Sequence, residues 1–175
     1  MSFGLALWLF VLAVALHNTE EAIWLPRWSR SAGHWHRAVA QGEFRFAVVA
    51  LTVLAVFAAA LASLQGAGSV GAYLVSGYAL AMLLNVIFPH TLATLVLRRY
   101  MPGLATAWLG ILPTSAALLW KALHEGAVEP GRFWIVGPII VAGILASIPA
   151  LFWAGRKAER TLFAAVRHPH PKHGQ

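Results

Sequence analysis

Apolar residues run along this chain in long blocks rather than at alternating positions. Five blocks stand out: Phe3 to Leu25, Arg45 to Leu64, Val70 to Leu97, Leu104 to Leu123 and Phe133 to Ala154. Each approaches or exceeds the roughly 20 residues that a helix needs to cross about 30 Å of hydrocarbon. The alternation of a barrel strand is missing from the sequence, so helices are expected to satisfy the backbone. The pattern predicts an all-α, polytopic membrane bundle of five transmembrane helices. It is expected to form one domain over residues 1–157, followed by a cytoplasmic tail over 158–175 that is disordered at its end.

Composition strengthens this reading. Of 175 residues, 59% are hydrophobic and 11% charged, against about 25% charged in an average soluble domain. No small soluble core would bury so much apolar surface. The chain has no cysteine, which excludes disulfides, thiolate metal sites and cysteine nucleophiles. It also lacks aspartate, so the six glutamates are the only side-chain carboxylates available for chemistry. The first block resembles a secretory leader, but no Lys or Arg precedes it, and a retained helix is expected.

The net charge of +7 raises the question of nucleic acid. The basic residues fall between the apolar blocks, however, which points to lipid headgroups and to no nucleic-acid partner. Arg27, Arg30, Arg37, Arg45, Arg98, Arg99, Arg156, Lys157, Arg160, Arg167 and Lys172 fall on one side of a five-span arrangement. Lys121 and Arg132 fall on the other. The positive-inside rule then puts the N-terminus outside and the C-terminus in the cytoplasm. Trp24, Trp28, Trp120, Trp134 and Trp153 lie near block ends, where indoles favour the interface. The stretch Pro26 to Gly42 is expected to lie on the membrane surface. The tail His168-Pro169-His170-Pro171-Lys172-His173 reads as a solvated segment.

One polar cluster interrupts the first block: His17-Asn18-Thr19-Glu20-Glu21. On a helix, positions i, i+3 and i+4 share a face, so His17, Glu20 and Glu21 point the same way. Glu20 lies about 10 Å before Arg27 along the axis, in the cytoplasmic half of the span. Ionisable groups at that depth are costly unless they face the bundle interior and find partners. Depth names the partner. His90, about 12 Å before Arg98 in the third block, falls in the same layer, with Asn85 beside it. Pro89 cannot donate to the carbonyl of Asn85, which frees an acceptor there. Pro113, Thr114, Ser115, Ser147 and Pro149 come to similar depth, and Tyr78 lies two helical turns before Asn85. His124 and Glu125 fall on the opposite side of the membrane and are expected to be loop residues.

His17-Asn18-Thr19-Glu20-Glu21 resembles the signature of the HXXEE-domain family of small bacterial membrane proteins. Asn85 and His90 resemble its second polar motif. The resemblance covers the first block through the fifth. It implies a helix bundle in the bacterial cytoplasmic (inner) membrane and a candidate site, and it implies no particular reaction.

The expected function is that of an enzyme acting on a lipophilic small molecule within the lipid bilayer. His17, Glu20, Glu21, Asn85 and His90 are the candidate catalytic residues. In one version His17, Glu20, Glu21 and His90 bind a divalent metal, Zn²⁺, Fe²⁺ or Mn²⁺. In the other, imidazole and carboxyl groups act as general acid and base without metal. The alternative is a proton-coupled or metal-ion transporter. An odd number of spans without a visible repeat weighs against a monomeric carrier, an objection that a homo-oligomer would meet. A purely architectural reading has these groups only hydrogen-bonding across helices.

Overall fold

The computed structural model describes residues 1–33 and 38–167, with 162–167 as backbone alone. Arg37 and the tail residues His168, His170, Lys172 and His173 lie outside the described residues. Among those described there are helices and no strand.

Helix α1 spans Phe3–Ser29, and the Ser2 side chain caps it by accepting from the Leu5 N–H at 3.3 Å. It runs past the expected end at Leu25 and carries Pro26 inside its last turns. Proline has no N–H for the carbonyl four residues back, that of Ala22. Arg45 takes the vacated place, donating its Nε to Ala22 O at 3.2 Å. Helix α2 spans Gln41–Gln65 and ends at Gly66, whose φ of 78° suits a residue without Cβ. Ser69 caps α3, Val70–Asn85. Gly71 lies so close to the Leu61–Ala62 backbone that a Cβ would collide with it. Close approach through small residues holds α2 on α3.

Pro89 breaks the third block as its missing N–H requires. A π-turn over Val86–Thr91 follows α3, with Phe88 in extended conformation (φ −126°, ψ 120°), before α4, Leu92–Leu97, resumes. The fourth block is also irregular. It consists of α5, Leu104–Thr106, a π-turn over Ala107–Ile111 and α6, Leu112–His124. Helix α7 covers Pro130–Arg167. Its 38 residues extend about 57 Å, well beyond the hydrocarbon thickness. The first part of the expected tail, from residue 158, is therefore helix continuing α7.

Four helical stretches are long and apolar enough to cross a membrane: Phe3–Ser29, Gln41–Gln65, Val70–Leu97 and Pro130–Thr161. The expected fourth span, Leu104 to Leu123, is not among them, because Trp108, Gly110, Pro113, Thr114, Ser115 and Lys121 dilute it. Helix α1 packs on α2 and α6, and α3 packs on the same two. Helices α1 and α3 therefore face each other diagonally across a four-membered ring, with α7 outside against α2 and α3. Phe10 and Tyr78 meet edge-on across that diagonal at 5.9 Å. Tyr78 donates its hydroxyl to Leu51 O at 3.0 Å, so it serves the α2–α3 contact rather than the polar cluster. Large apolar side chains cover the outside, among them Leu12, Val53, Phe57, Leu109, Ile135 and Leu145. That surface suits lipid, not water.

The two ends of the bundle differ. At one, Arg99 donates to Ser31 Oγ at 2.8 Å and Arg156 pairs with Glu43 at 2.8 Å. At the other, the Phe3 N–H donates to Glu125 Oε2 at 3.2 Å, and Gly68 N–H to Ala127 O at 2.9 Å. The basic segments thus share an end, and Glu125 sits beside the start of α1. Trp24, Trp120 and Trp134 are exposed near the helix ends, whereas Trp153 is exposed within α7, which runs on to Arg167. Trp28 is not: it is buried, donates Nε1 to Tyr100 O at 2.9 Å and carries the Arg99 guanidinium over its ring.

Candidate functional site

Helix α1 and the π-turn of the third block bring the polar residues together in the middle of the ring. His17 and His90 are 1% and 0% exposed. Their rings stand edge to face with centroids 4.8 Å apart. Glu21 reaches between them, with Oε1 3.2 Å from His90 Nε2 and Oε2 3.9 Å from His17 Nε2. One donor atom from each of His17, Glu21 and His90 lies within 4.8 Å of the others. Asn85, half-buried, lies close enough to interact with the His17 ring, and its Oδ1 accepts no hydrogen bond among the described residues. The break at Pro89 is what lets a residue of the third block turn inward here.

The 3.2 Å contact between His90 and Glu21 lacks hydrogen-bond geometry. His17 Nε2 and both ring nitrogens of His90 are buried with no hydrogen-bond partner among the described residues. Each such atom costs about 1–3 kcal/mol if left unpaired. Two imidazole nitrogens and a carboxylate therefore lie side by side without a hydrogen bond among them.

Glu20 belongs to a different set of contacts. Its Oε1 accepts from the Tyr100 hydroxyl at 2.6 Å and from the Gly103 N–H at 2.9 Å. Its Oε2 accepts from the Thr106 hydroxyl at 2.7 Å and from the Thr106 N–H at 3.4 Å. Four donors from one connecting segment thus clasp one carboxylate. Of the four expected metal ligands, three converge and Glu20 is committed elsewhere. The same segment closes the site. Met101 is fully buried against Leu25, Trp28, Phe44 and Val48. Gly103, at φ 95°, lies under both imidazoles: a Cβ there would come within 2.5 Å of His90 Cε1 and 3.0 Å of His17 Cε1. Thr106 Oγ1 also stands 3.0 Å from His17 Nδ1. The Tyr100 phenol is pushed above its usual range by burial first, then by its bond to the Glu20 carboxylate.

Tyr100, Gly103 and Thr106 were not legible as site residues. Pro102-Gly103 signals a turn, but nothing in the sequence ties that turn to Glu20. Asn18 has a third role. It donates to Thr52 Oγ1 at 2.8 Å and to Val48 O at 3.2 Å, joining α1 to α2. Pro113, Thr114 and Ser115 sit in α6 and Ser147 and Pro149 in α7; the Thr114 and Ser147 hydroxyls donate back to the backbone, to Gly110 O at 2.7 Å and Ile144 O at 2.6 Å. His124 stacks on Trp120 at 3.5 Å, and Lys121 holds Glu125 at 2.8 Å, at the opposite end of α1 from His17.

A family described as "Protein of unknown function with HXXEE motif" matches residues 8–118 of this chain. The chain belongs to the HXXEE family. The matched stretch contains every residue of the cluster and the clasp, while α7 lies beyond it. The HXXEE chain is also similar to the uncharacterized protein YrkK of Bacillus subtilis (strain 168). The two are 34% identical over 148 residues, covering 85% of this chain and 94% of that protein. No solved structure matches it.

Proposed function

We propose that this HXXEE protein is a multi-pass membrane enzyme that holds a divalent metal ion on His17, Glu21 and His90 and acts on a lipophilic small molecule. One observation carries the reading: three ligand-type side chains converge within 4.8 Å in the interior, with the facing imidazole nitrogens unpaired among the described residues. Ligands about 2.1 Å from a tetrahedral ion stand about 3.4 Å apart. The 3.2 Å between Glu21 Oε1 and His90 Nε2 is close to that value, and one ligand atom from each of the three residues lies within 4.8 Å of the others, so the His17 side would close in slightly on an ion. Two imidazoles and one carboxylate suit Zn²⁺, Fe²⁺ or Mn²⁺ and leave coordination positions open.

Such an ion would supply Lewis acidity or an activated water. The chain's own residues do the rest. Glu20 holds the 100–106 segment over the centre and excludes water. Asn85 offers a free acceptor beside His17. Ile87 and Phe88, 64% and 68% exposed, face lipid next to His90, so an apolar substrate reaches the π-turn from the bilayer. All five helical stretches then cross the bacterial inner membrane, with the N-terminus outside and the basic end cytoplasmic.

Metal analysis of detergent-purified protein tests this. Stoichiometric metal is expected in the wild type and should be lost in both His90→Ala and Glu21→Gln. Well-folded, metal-free wild type would overturn the metal centre. Ion flux into liposomes that depends on Glu21 would replace the enzyme reading with a transporter.

A further inference from the structure

Thr106 stands between the two polar groups just described, and its single hydroxyl proton decides how His17 is protonated. Thr106 Oγ1 is 2.7 Å from Glu20 Oε2, 3.1 Å from Gly103 O and 3.0 Å from His17 Nδ1. A carboxylate oxygen is acceptor only, and the contact to Glu20 is the shortest of the three, as a charge-assisted bond should be. Donating to His17 instead would turn an oxygen lone pair towards Glu20 Oε2 at 2.7 Å. The proton therefore goes to Glu20. What faces His17 is then a hydroxyl lone pair, and His17 Nδ1 must carry the hydrogen.

We infer that Glu20 and Thr106 form a positioning relay that locks His17 in the tautomer protonated on Nδ1. This presents the bare Nε2 lone pair to the spot shared with Glu21 and His90. The relay accounts for an otherwise odd pairing, in which His17 Nε2 is buried without a hydrogen-bond partner among the described residues while Nδ1 has one. It also gives the two adjacent glutamates distinct tasks: Glu21 faces the centre, and Glu20 orders the imidazole from behind. Metal-binding histidines are oriented in the same way by acceptors on their far nitrogen. Only the purpose of the exposed lone pair rests on the metal reading above; the tautomer rests on the hydrogen bonds alone.

Nitrogen-15 NMR of histidine-labelled full-length protein in micelles separates protonated from unprotonated ring nitrogens, with His17 assigned by its loss in His17→Gln. The wild type and Thr106→Ser are expected to show Nδ1 protonated and Nε2 bare. Thr106→Val should lose that preference. Glu20→Gln can donate to Thr106, turn its hydroxyl round and shift His17 towards the Nε2-protonated form. If Thr106→Val does not fold, the comparison of Glu20→Gln with wild type still decides. An Nε2-protonated wild type, or a tautomer indifferent to both substitutions, would overturn the relay. Zn²⁺ titration of the same samples tells the two readings apart. Affinity should fall roughly 10–100-fold in Thr106→Val and be restored in Thr106→Ser. Equal binding by wild type and Thr106→Val with an unmoved tautomer leaves the metal centre and removes the relay. A Thr106-dependent tautomer without Zn²⁺ binding does the reverse.

Discussion

Glu20 and Glu21 are neighbours in sequence but point about 100° apart on the same helix. That angle sends one carboxylate to the segment 100–106 and the other between two imidazoles. Helical spacing placed both on one face with His17, and to that extent the cluster was legible from residue types alone. The separation of their roles was not, because it depends on donors about eighty residues away. Gly103 shows the same dependence. At φ 95° an alanine costs about 1–2 kcal/mol in backbone strain alone. Gly126, at φ 72° with nothing near its missing Cβ, isolates that part. Gly103→Ala should destabilise the detergent-solubilised protein by about 1–3 kcal/mol more than Gly126→Ala, because its methyl must displace both imidazoles. Equal losses in chemical unfolding would show that the close packing under the histidines is unimportant.

Prolines organise the elements. Pro89 opens the third helix beside the buried His90; the loss of its backbone bond was legible from a proline set inside an apolar block, and the path of the broken helix was not. The first apolar block ends at Leu25, yet the helix continues through Pro26 to Ser29. The reason is local: Arg45 from the start of α2 supplies the donor that Pro26 lacks. Pro26→Ala restores the backbone N–H and leaves Arg45 without that task. Arg45→Ala should therefore cost about 1 kcal/mol in the wild type and clearly less in a Pro26→Ala background. A double-mutant cycle measures the difference, and strictly additive losses would remove Arg45 from this role. The fourth block fell short of a regular span for a similar reason. Its glycine, proline and hydroxyl residues make a π-turn beside the site rather than an unbroken apolar rod.

For the whole molecule, the absence of cysteine makes topology directly measurable. In intact cells a membrane-impermeant maleimide should label Ala67→Cys, on the end near Glu125. It should label Lys157→Cys, on the basic end, only after permeabilisation. The opposite pattern would invert the orientation. Hydrophobic blocks and the His-Glu-Glu spacing by themselves determined an all-helical chain with apolar stretches long enough to cross a membrane, and a polar layer containing His17, Glu20, Glu21 and His90. These are properties of hydropathy and helical period, which act over neighbouring residues. Only the tertiary structure decided that α1 and α3 lie diagonally across a ring, that Glu21 rather than Glu20 joins the histidines, and that Tyr100, Gly103 and Thr106 complete the site. Those outcomes depend on which helices pack side by side, and packing sets distances between residues that no local pattern relates.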